Sequence, residues 1–431
     1  MARKKETSTK ENALTPGARL WRDRNFNIFW AGQTFDAFGD SFAMIVMPLL
    51  VLEATGSIAQ MGLVTGTIGV GNLISGIVSG AIVDHMDRRW LMIFCDIGRA
   101  IFYALIPLSW WFLGANIGLI YVVAGITAYL TTTFLITYNA AIPNIVDVDL
   151  TTDANGRLQS TVALAYVAGP MLAGLLSKRF DPSSAMGIAS LSYILSALLM
   201  FCVRIRKAIM INPVTDISTK YAHLQEFLAG IRFLLNHPVL KSVTLILATF
   251  IFFSEATIDL CIFRLKYDLY QNNDAIGVVF GVGSFGALLG GLTAPTLRRR
   301  WGFGLCFLGS LTIQGITIAS IGFAPTVVMI ATLATFFTFG LTLRNVSSIT
   351  LRQQVTPDQL LGRVSAAFWT LLTILGPVGT ALTTAFAEKI GVPLVLVLIG
   401  VISVFVAMIG FFTPANTQCP EQVVPFSING E

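Results

Sequence analysis

The chain has 431 residues, of which 55% are hydrophobic and only 12% charged, with a net charge of +5 and a mean hydropathy of +0.75. A soluble domain carries about 25% charged residues. Polar atoms this scarce exclude a surface that faces water throughout and make lipid the main solvent.

Residues 1–25 form a polar N-terminal tail with seven Lys or Arg, among them Arg3, Lys4, Lys5 and Arg24. No apolar segment lies within it, so it does not read as a cleaved signal peptide, and the first span acts as the insertion signal. Twelve apolar runs follow, each near the roughly 20 residues that cross the hydrocarbon core. They cover 26–52, 62–84, 90–113, 117–142, 158–178, 184–204, 241–262, 275–297, 303–323, 326–350, 363–386 and 392–413. Lipid satisfies no backbone hydrogen bonds, so each is predicted helical. The expected fold is all-α and integral to the membrane, with twelve transmembrane helices in two pseudo-symmetric six-helix bundles, 26–204 and 241–413.

Residues 205–240 join the bundles. Leu224, Phe227, Leu228, Ile231, Leu234 and Leu235 recur at helical spacing between Tyr221 and Asn236, which His237-Pro238 ends. The pattern predicts an amphipathic linker helix lying on the membrane surface, with a partner-docking site as the other reading. Residues 414–431 form a C-terminal tail.

Basic residues crowd alternate loops. Arg88 and Arg89 follow the second run, Arg204, Arg206, Lys207, Lys220 and Arg232 lie in the linker, and Arg298, Arg299 and Arg300 follow the eighth. The opposite loops hold Lys178, Arg179, Arg264, Lys266 and Lys389. This bias places both termini in the cytoplasm and accounts for the net charge without nucleic acid. Five scattered cysteines and three isolated histidines show no disulfide or metal-ligand spacing. Neither a metal nor another cofactor is expected. The chain has no phosphate-binding Gly-Lys-Ser or Gly-Lys-Thr loop and no nucleophile–base constellation, so an enzyme is not expected.

The runs repeat. Met61-Gly62-Leu63-Val64-Thr65-Gly66 and Ile276-Gly277-Val278-Val279-Phe280-Gly281 are 215 positions apart. Gly156-Arg157 with Gly169-Pro170 recurs as Gly362-Arg363 with Gly376-Pro377, 206 to 207 positions on. Tandem helix repeats that rock about a site at their interface are a construction of secondary transporters.

Between the second and third runs lies Gly80-Ala-Ile-Val-Asp84-His-Met-Asp87-Arg88-Arg89, with Asp96 and Arg99 further along. In the fifth run stands Ala165-Tyr-Val-Ala-Gly169-Pro170-Met-Leu-Ala-Gly174. The first loop resembles the Gly–Asp–basic loop of the major facilitator superfamily, with His85 in place of the usual Arg and Asp87 in place of the usual Gly. The second stretch resembles the Gly-Pro motif of that family's antiporters. Trp30-Ala31-Gly32-Gln33, Gly39-Asp40, Pro48-Leu49, Thr55-Gly56-Ser57 and Phe227 to Pro238 narrow the likeness to the bacterial branch of macrolide-type and enterobactin-type exporters. The fourth run lacks the Arg that many proton-coupled members carry there.

The resemblance implies a conformational gate at Gly80, Asp84, Asp87, Arg88, Arg89, Asp96 and Arg99, in which Asp84 pairs with Arg88, Arg89 or Arg99. A topological anchor is the plainer alternative. In the second repeat Arg299 stands where Asp84 is expected, so the acidic partner of the latch belongs to the first half alone. Gly169, Pro170, Gly174, Gly376 and Pro377 form the antiporter-type helix motif. The small residues allow close helix contact and proline permits a bend.

Asp36 and Asp40 lie four apart in the first run, on one helical face. Glu255 and Asp259 repeat the spacing in the seventh, and Asp40 and Glu255 are 215 apart. An Asp at a helix centre in lipid costs roughly 2.5–3.5 kcal/mol, so these four residues are not expected to face lipid; the resemblance implies that the first and seventh helices line the central cavity between the halves. Burial favours the protonated carboxyl, and such a group could carry a proton or hold a cationic substrate. The plainer readings are a basic partner for Asp36 or Asp40, with Arg344 conceivable, a position for Asp259 at the wet outer end of its helix, and a solvated helix end for Glu53. Phe35, Phe38, Phe42, Tyr138, Tyr166, Phe252, Phe253 and Trp369 are candidate cavity aromatics, of which no more than a third are expected to be contacts.

The expectation is a monomeric, multi-pass exporter in a bacterial inner membrane. It would move a lipophilic small molecule, macrolide-like or similar, against protons. A siderophore exporter and a non-transporting receptor or assembly factor on the same fold are the alternatives.

Overall fold

The structure is a computed structural model and describes residues 20–146, 150–179, 182–205 and 219–418. The N-terminal tail before residue 20, most of the linker ahead of Thr219 and the tail after residue 418 lie outside the described residues.

All the described regular structure is helical. The helices are α1 (Arg24–Thr55), α2 (Ile58–His85), α3 (Arg88–Leu113), α4 (Ile117–Ile145), α5 (Thr151–Arg179), α6 (Pro182–Cys202), α7 (Thr219–Asn236), α8 (Pro238–Ser254), α9 (Thr257–Phe263), α10 (Asn273–Phe323), α11 (Val327–Val355), α12 (Asp358–Ile390) and α13 (Val392–Phe411). Among the described residues, eleven helical stretches are long and apolar enough to cross a membrane, with α8, α9 and a π-turn at Arg264–Asp268 forming one of them. The expected runs 275–297 and 303–323 both fall in α10, which is 51 residues long and loses helical geometry at Gly302 (φ 75°).

Local chemistry sets the helix ends. The Asp23 carboxylate accepts from the Asn25 and Phe26 N–H groups and starts α1. Gly56 ends α1 in the left-handed region (φ 64°), where its N–H donates to the Leu52 carbonyl, a conformation open to glycine at little cost. Ser57, Asp87, Asn116 and Thr326 cap α2, α3, α4 and α11 through their side-chain oxygens. His237 starts α8 by accepting the Leu240 N–H at its Nδ1. Burial lowers the His237 pKa, which keeps the imidazole neutral and able to accept.

In the first group, α1 packs on α5 and α6, α3 on α4 and α6, and α2 on α4. In the second, α10 packs on α11 and α13, and α8 on α12 and α13. Two seams join the groups, α2 against α12 and α5 against α10. The linker helix α7 packs along α12, where Gly230 meets the Arg363 backbone. Leu234 at its end is buried in the core of the second group. Of the expected apolar stripe, Leu234 packs into the second group while Leu228 and Leu235 are exposed; the side chains of Leu224 and Phe227 lie outside the described residues.

Candidate functional site

Both seams are built on rows of small residues spaced by sevens. Seven residues bring a helix back to the same face within about 20°. On α2 the row is Gly62, Gly69 and Gly76, and on α10 it is Gly277, Ser284 and Gly291, each position 215 after its counterpart. A side chain at Gly62 would overlap Thr384 of α12, and one at Gly69 would overlap Pro377. A side chain at Gly277 would strike the Pro170 carbonyl and the Gly174 backbone of α5, while the Ser284 hydroxyl donates to the Tyr166 carbonyl at 2.9 Å. The third member of each row, Gly76 and Gly291, has nothing within 4 Å of the place a side chain would take. The two groups therefore touch at one end of the molecule and part toward the end that carries Arg88, Arg89 and Arg298 to Arg300.

Polar contacts fasten the touching end. Lys266 Nζ lies 2.7 Å from Glu53, which also accepts from Asn273 at 3.2 Å. Ser57 donates to Glu388 at 2.8 Å. Glu53 is thus ion-paired across the seam rather than simply solvated. The sequence signal was present in Lys266, one of the few basic residues in the loops opposite the basic ones.

Between the groups lies a cavity of about 370 Å³ lined by Asp40, Glu255, Asp259, Met44, Tyr103 and Tyr166, among others. The 215-residue spacing of Asp40 and Glu255 thus brings them to one space from opposite sides. Asp259 is buried and accepts the Thr65 hydroxyl of α2 at 2.8 Å. It sits in the seam, not in water at a helix end. Glu255 falls at the break between α8 and α9. Broken helices are a means by which membrane proteins present groups to a cavity.

Asp36 stands apart from this cavity, in a buried charge cluster. Arg99 of α3, fully buried, contacts Asp36 and Asp96, and reaches Asp40 at 3.2 Å. Ser196 of α6 donates to Asp96 at 2.7 Å, and the Tyr193 hydroxyl donates to Asp40 at 2.7 Å. The guanidinium also lies over the rings of Tyr193 (4.3 Å) and Phe134 (4.6 Å). Three carboxylates share one guanidinium, and Asp40 is the member that reaches the cavity. Arg344, the conceivable partner of Asp36 or Asp40, is not that partner. It lies on α11 of the second group, its guanidinium 5.4 Å from the centre of the Phe250 ring.

The loop residues sort differently from expectation. Arg99 and Asp96 belong to the buried cluster. Arg88 donates to the Ala140 carbonyl at 2.7 Å, and Arg89 donates to the Met200 and Phe201 carbonyls near the end of α6. These bonds stay within the first group. Asp87 caps α3, accepting from the Arg89 and Trp90 N–H groups. Gly80 and Asp84 lie on α2, but the surroundings of Gly80 and the Asp84 side chain fall outside the described residues.

Gly169 packs against Ser41 beside Asp40, and the Ser41 hydroxyl donates to the Ala165 carbonyl at 2.7 Å. Gly376 packs against the Glu255 side chain. Each Gly-Pro pair therefore abuts the helix bearing one of the paired acids, while Pro170, Gly174 and Pro377 form the seams. Of the eight candidate aromatics, Tyr166 lines the acid-lined cavity and Trp369 a second cavity in the other group. Phe42 and Tyr138 are buried in the cores, and Phe35 is exposed. Tyr103 was missed. The available signal was its place four residues after Arg99 and seven after Asp96, on the face that carries those charges.

Residues 29–380 match the Major Facilitator Superfamily. The chain is similar to the multidrug efflux pump Tap of Mycolicibacterium fortuitum (24% identity, 88% of this chain and 94% of that one). It is also similar to macrolide efflux protein A of Streptococcus pyogenes (22%, 90% and 95%) and enterobactin exporter EntS of Escherichia coli O1:K1 / APEC (25%, 78% and 79%). Among solved structures it resembles the nucleoside transporter NupG (TM-score 0.69, 12% identity, 90% of this chain and 98% of that one). The chain belongs to the Major Facilitator Superfamily and is a multi-pass membrane transporter, not an enzyme.

Proposed function

We propose that this family member exports a hydrophobic or amphiphilic small molecule from a bacterial cell by alternating access, driven by proton antiport. The observation that carries the reading is the acid-lined cavity between the halves, with the seams closed at one end and parted at the other. With both termini in the cytoplasm, the closed end faces outward and the cavity loads from inside. The relatives named for multidrug and macrolide efflux support a lipophilic cargo. The mostly apolar wall, with Met44, Tyr103 and Tyr166 among the acids, suits a ring system that carries an amine.

The charge cluster supports the coupling. Three carboxylates, Asp36, Asp40 and Asp96, gather around one guanidinium, an excess of acid over base that a transported proton can balance. Asp40 touches both the cluster and the cavity, so it passes the proton between them as cargo arrives and leaves. The loop from Gly80 to Arg89 serves as the gate on the cytoplasmic side, closing when the halves rock the other way.

The test is export of a dye and macrolide panel from efflux-deficient cells by wild type and Asp40→Asn at matched expression, with a collapsed proton gradient as control. Gradient-dependent extrusion lost in the variant supports both export and the role of Asp40. Equal extrusion by both removes Asp40 as proton carrier and leaves the exporter. A wild type that extrudes none of the panel refutes the lipophilic-cargo reading. The enterobactin exporter relative supports a siderophore as the second reading, and iron-limited cells that secrete less siderophore on deletion would favour it.

A further inference from the structure

The 215-residue repeat relates the charge cluster of the first half to a different arrangement in the second. Asp40 corresponds to Glu255, Arg99 to Gln314, Asp36 to Ile251 and Asp96 to Leu311. In the first half these positions are filled by ion pairs. In the second, Ile251, Glu255 and Gln314 border a cavity of about 310 Å³, together with Arg344, Asn345 and Trp369. The cation has moved from α3 of the first repeat to α11 of the second, where among the described residues no carboxylate lies within ion-pairing distance and Glu255, on the same cavity, attracts it from further off. Arg344 is 8% exposed, and among the described residues its guanidinium makes no hydrogen bond or ion pair, with Nε wholly unsatisfied. Gln314 is fully buried nearby, its amide nitrogen donating to the Ser310 carbonyl at 3.2 Å and its Oε1 an acceptor without a donor. Glu255 and Ile258 line both this cavity and the acid-lined one, so the two spaces adjoin.

A buried guanidinium without an acceptor is costly, and a ligand that supplies one recovers much of that cost. We infer that this cavity is a subsite for an anionic oxygen group of the transported molecule, a carboxylate or phenolate, received by Arg344 with Asn345 beside it. Resting on the export reading above, the inference narrows the cargo to an amphoteric compound. Its amine lies toward Asp40, Glu255 and Asp259, and its acid lies on Arg344. The first half needs no such ligand because Arg99 is already surrounded by carboxylates.

The probes are a fluoroquinolone, which carries an aryl carboxylate and a piperazine amine, and its methyl ester, which keeps the amine and loses the anion. Binding is measured on purified full-length protein in lipid nanodiscs, and proton-driven uptake in proteoliposomes. Wild type is expected to prefer the acid over the ester by on the order of tenfold, the worth of a charge-assisted hydrogen bond. Arg344→Gln should reduce that preference to within about twofold, and Arg344→Lys should keep most of it. Gln314→Glu, which sets a carboxylate against Arg344 from within, should abolish the preference with the arginine still present, so the test survives if Arg344→Gln folds poorly. A wild type that does not distinguish acid from ester overturns the inference. So does a preference unchanged in Arg344→Gln and Gln314→Glu. If wild type still drives uptake of the ester and of dyes in that case, the export reading stands while the subsite falls. If it drives uptake of nothing, both fall.

Discussion

Arg99 carries the heaviest electrostatic load among the described residues. It is fully buried, and Asp36, Asp40 and Asp96 each depend on it for compensation. Removing one partner of a buried charge set costs about 3–5 kcal/mol, because the remaining charges keep their desolvation penalty without the attraction that offset it. Arg99→Gln is therefore expected to lower thermal stability in detergent sharply. Adding Asp36→Asn, which neutralises one of the stranded carboxylates, should restore part of the loss. A single variant as stable as wild type, or a double variant less stable than the single, would contradict this account. Serine and tyrosine support the same point on a smaller scale. Ser196 and Tyr193 each donate to a carboxylate of the cluster, satisfying lone pairs that Arg99 leaves open.

At the scale of the element, the glycine rows on α2 and α10 decide how closely the halves approach. Gly277 faces backbone on α5, which cannot swing aside as a side-chain tip can. Gly277→Leu should force the seam apart and destabilise the protein by about 1–3 kcal/mol, the usual cost of overpacking. Gly291 lies two heptads along the same face and meets open space, so Gly291→Leu should leave melting temperature nearly unchanged. If the halves rock, however, the same leucine obstructs closure at the parted end and should arrest transport in a stably folded protein. Full transport by Gly291→Leu would argue against closure along that row. The interruption at Glu255 is a second element-level device. It ends α8 within the bilayer and leaves the carboxylate at the mouth of two cavities rather than on a regular helical face.

For the whole molecule, the shape is a pair of helix groups joined at one end. Exposed ion pairs such as Glu53 with Lys266 are worth about 0–1 kcal/mol. Pairs of that strength do not lock the closed end, and the proposed alternating access requires that ligand and proton binding can open it. A protein carrying Gly62→Cys and Thr384→Cys, in a background free of native cysteines, should cross-link readily at rest. Adding a transported compound together with a proton gradient should slow that reaction. Gly76→Cys with Thr370→Cys, on the corresponding faces of α2 and α12 two heptads onward, should show the opposite trend. Cross-linking that is equal in both pairs and indifferent to ligand would mean the halves do not rock.

Much of this protein was legible in its sequence. Apolar runs of spanning length fall within helices because lipid offers the backbone no other partner. The 215-residue repeat and the four intramembrane acids were visible as spacing alone, and three of those acids do share a cavity. What the sequence left open was which cation meets which carboxylate. The chain places Asp96 one turn from Arg99 and no acid near Arg344, but it does not say which carboxylates of other helices either arginine meets. Helix rotation and packing brought Arg99 onto Asp36, 63 positions away, and left Arg344 facing a cavity. Periodicity records which residues share a face of one helix, but an ion pair between helices depends on the angle and depth at which two faces meet. That geometry is set by side-chain packing across the whole bundle, so only the tertiary structure decided it.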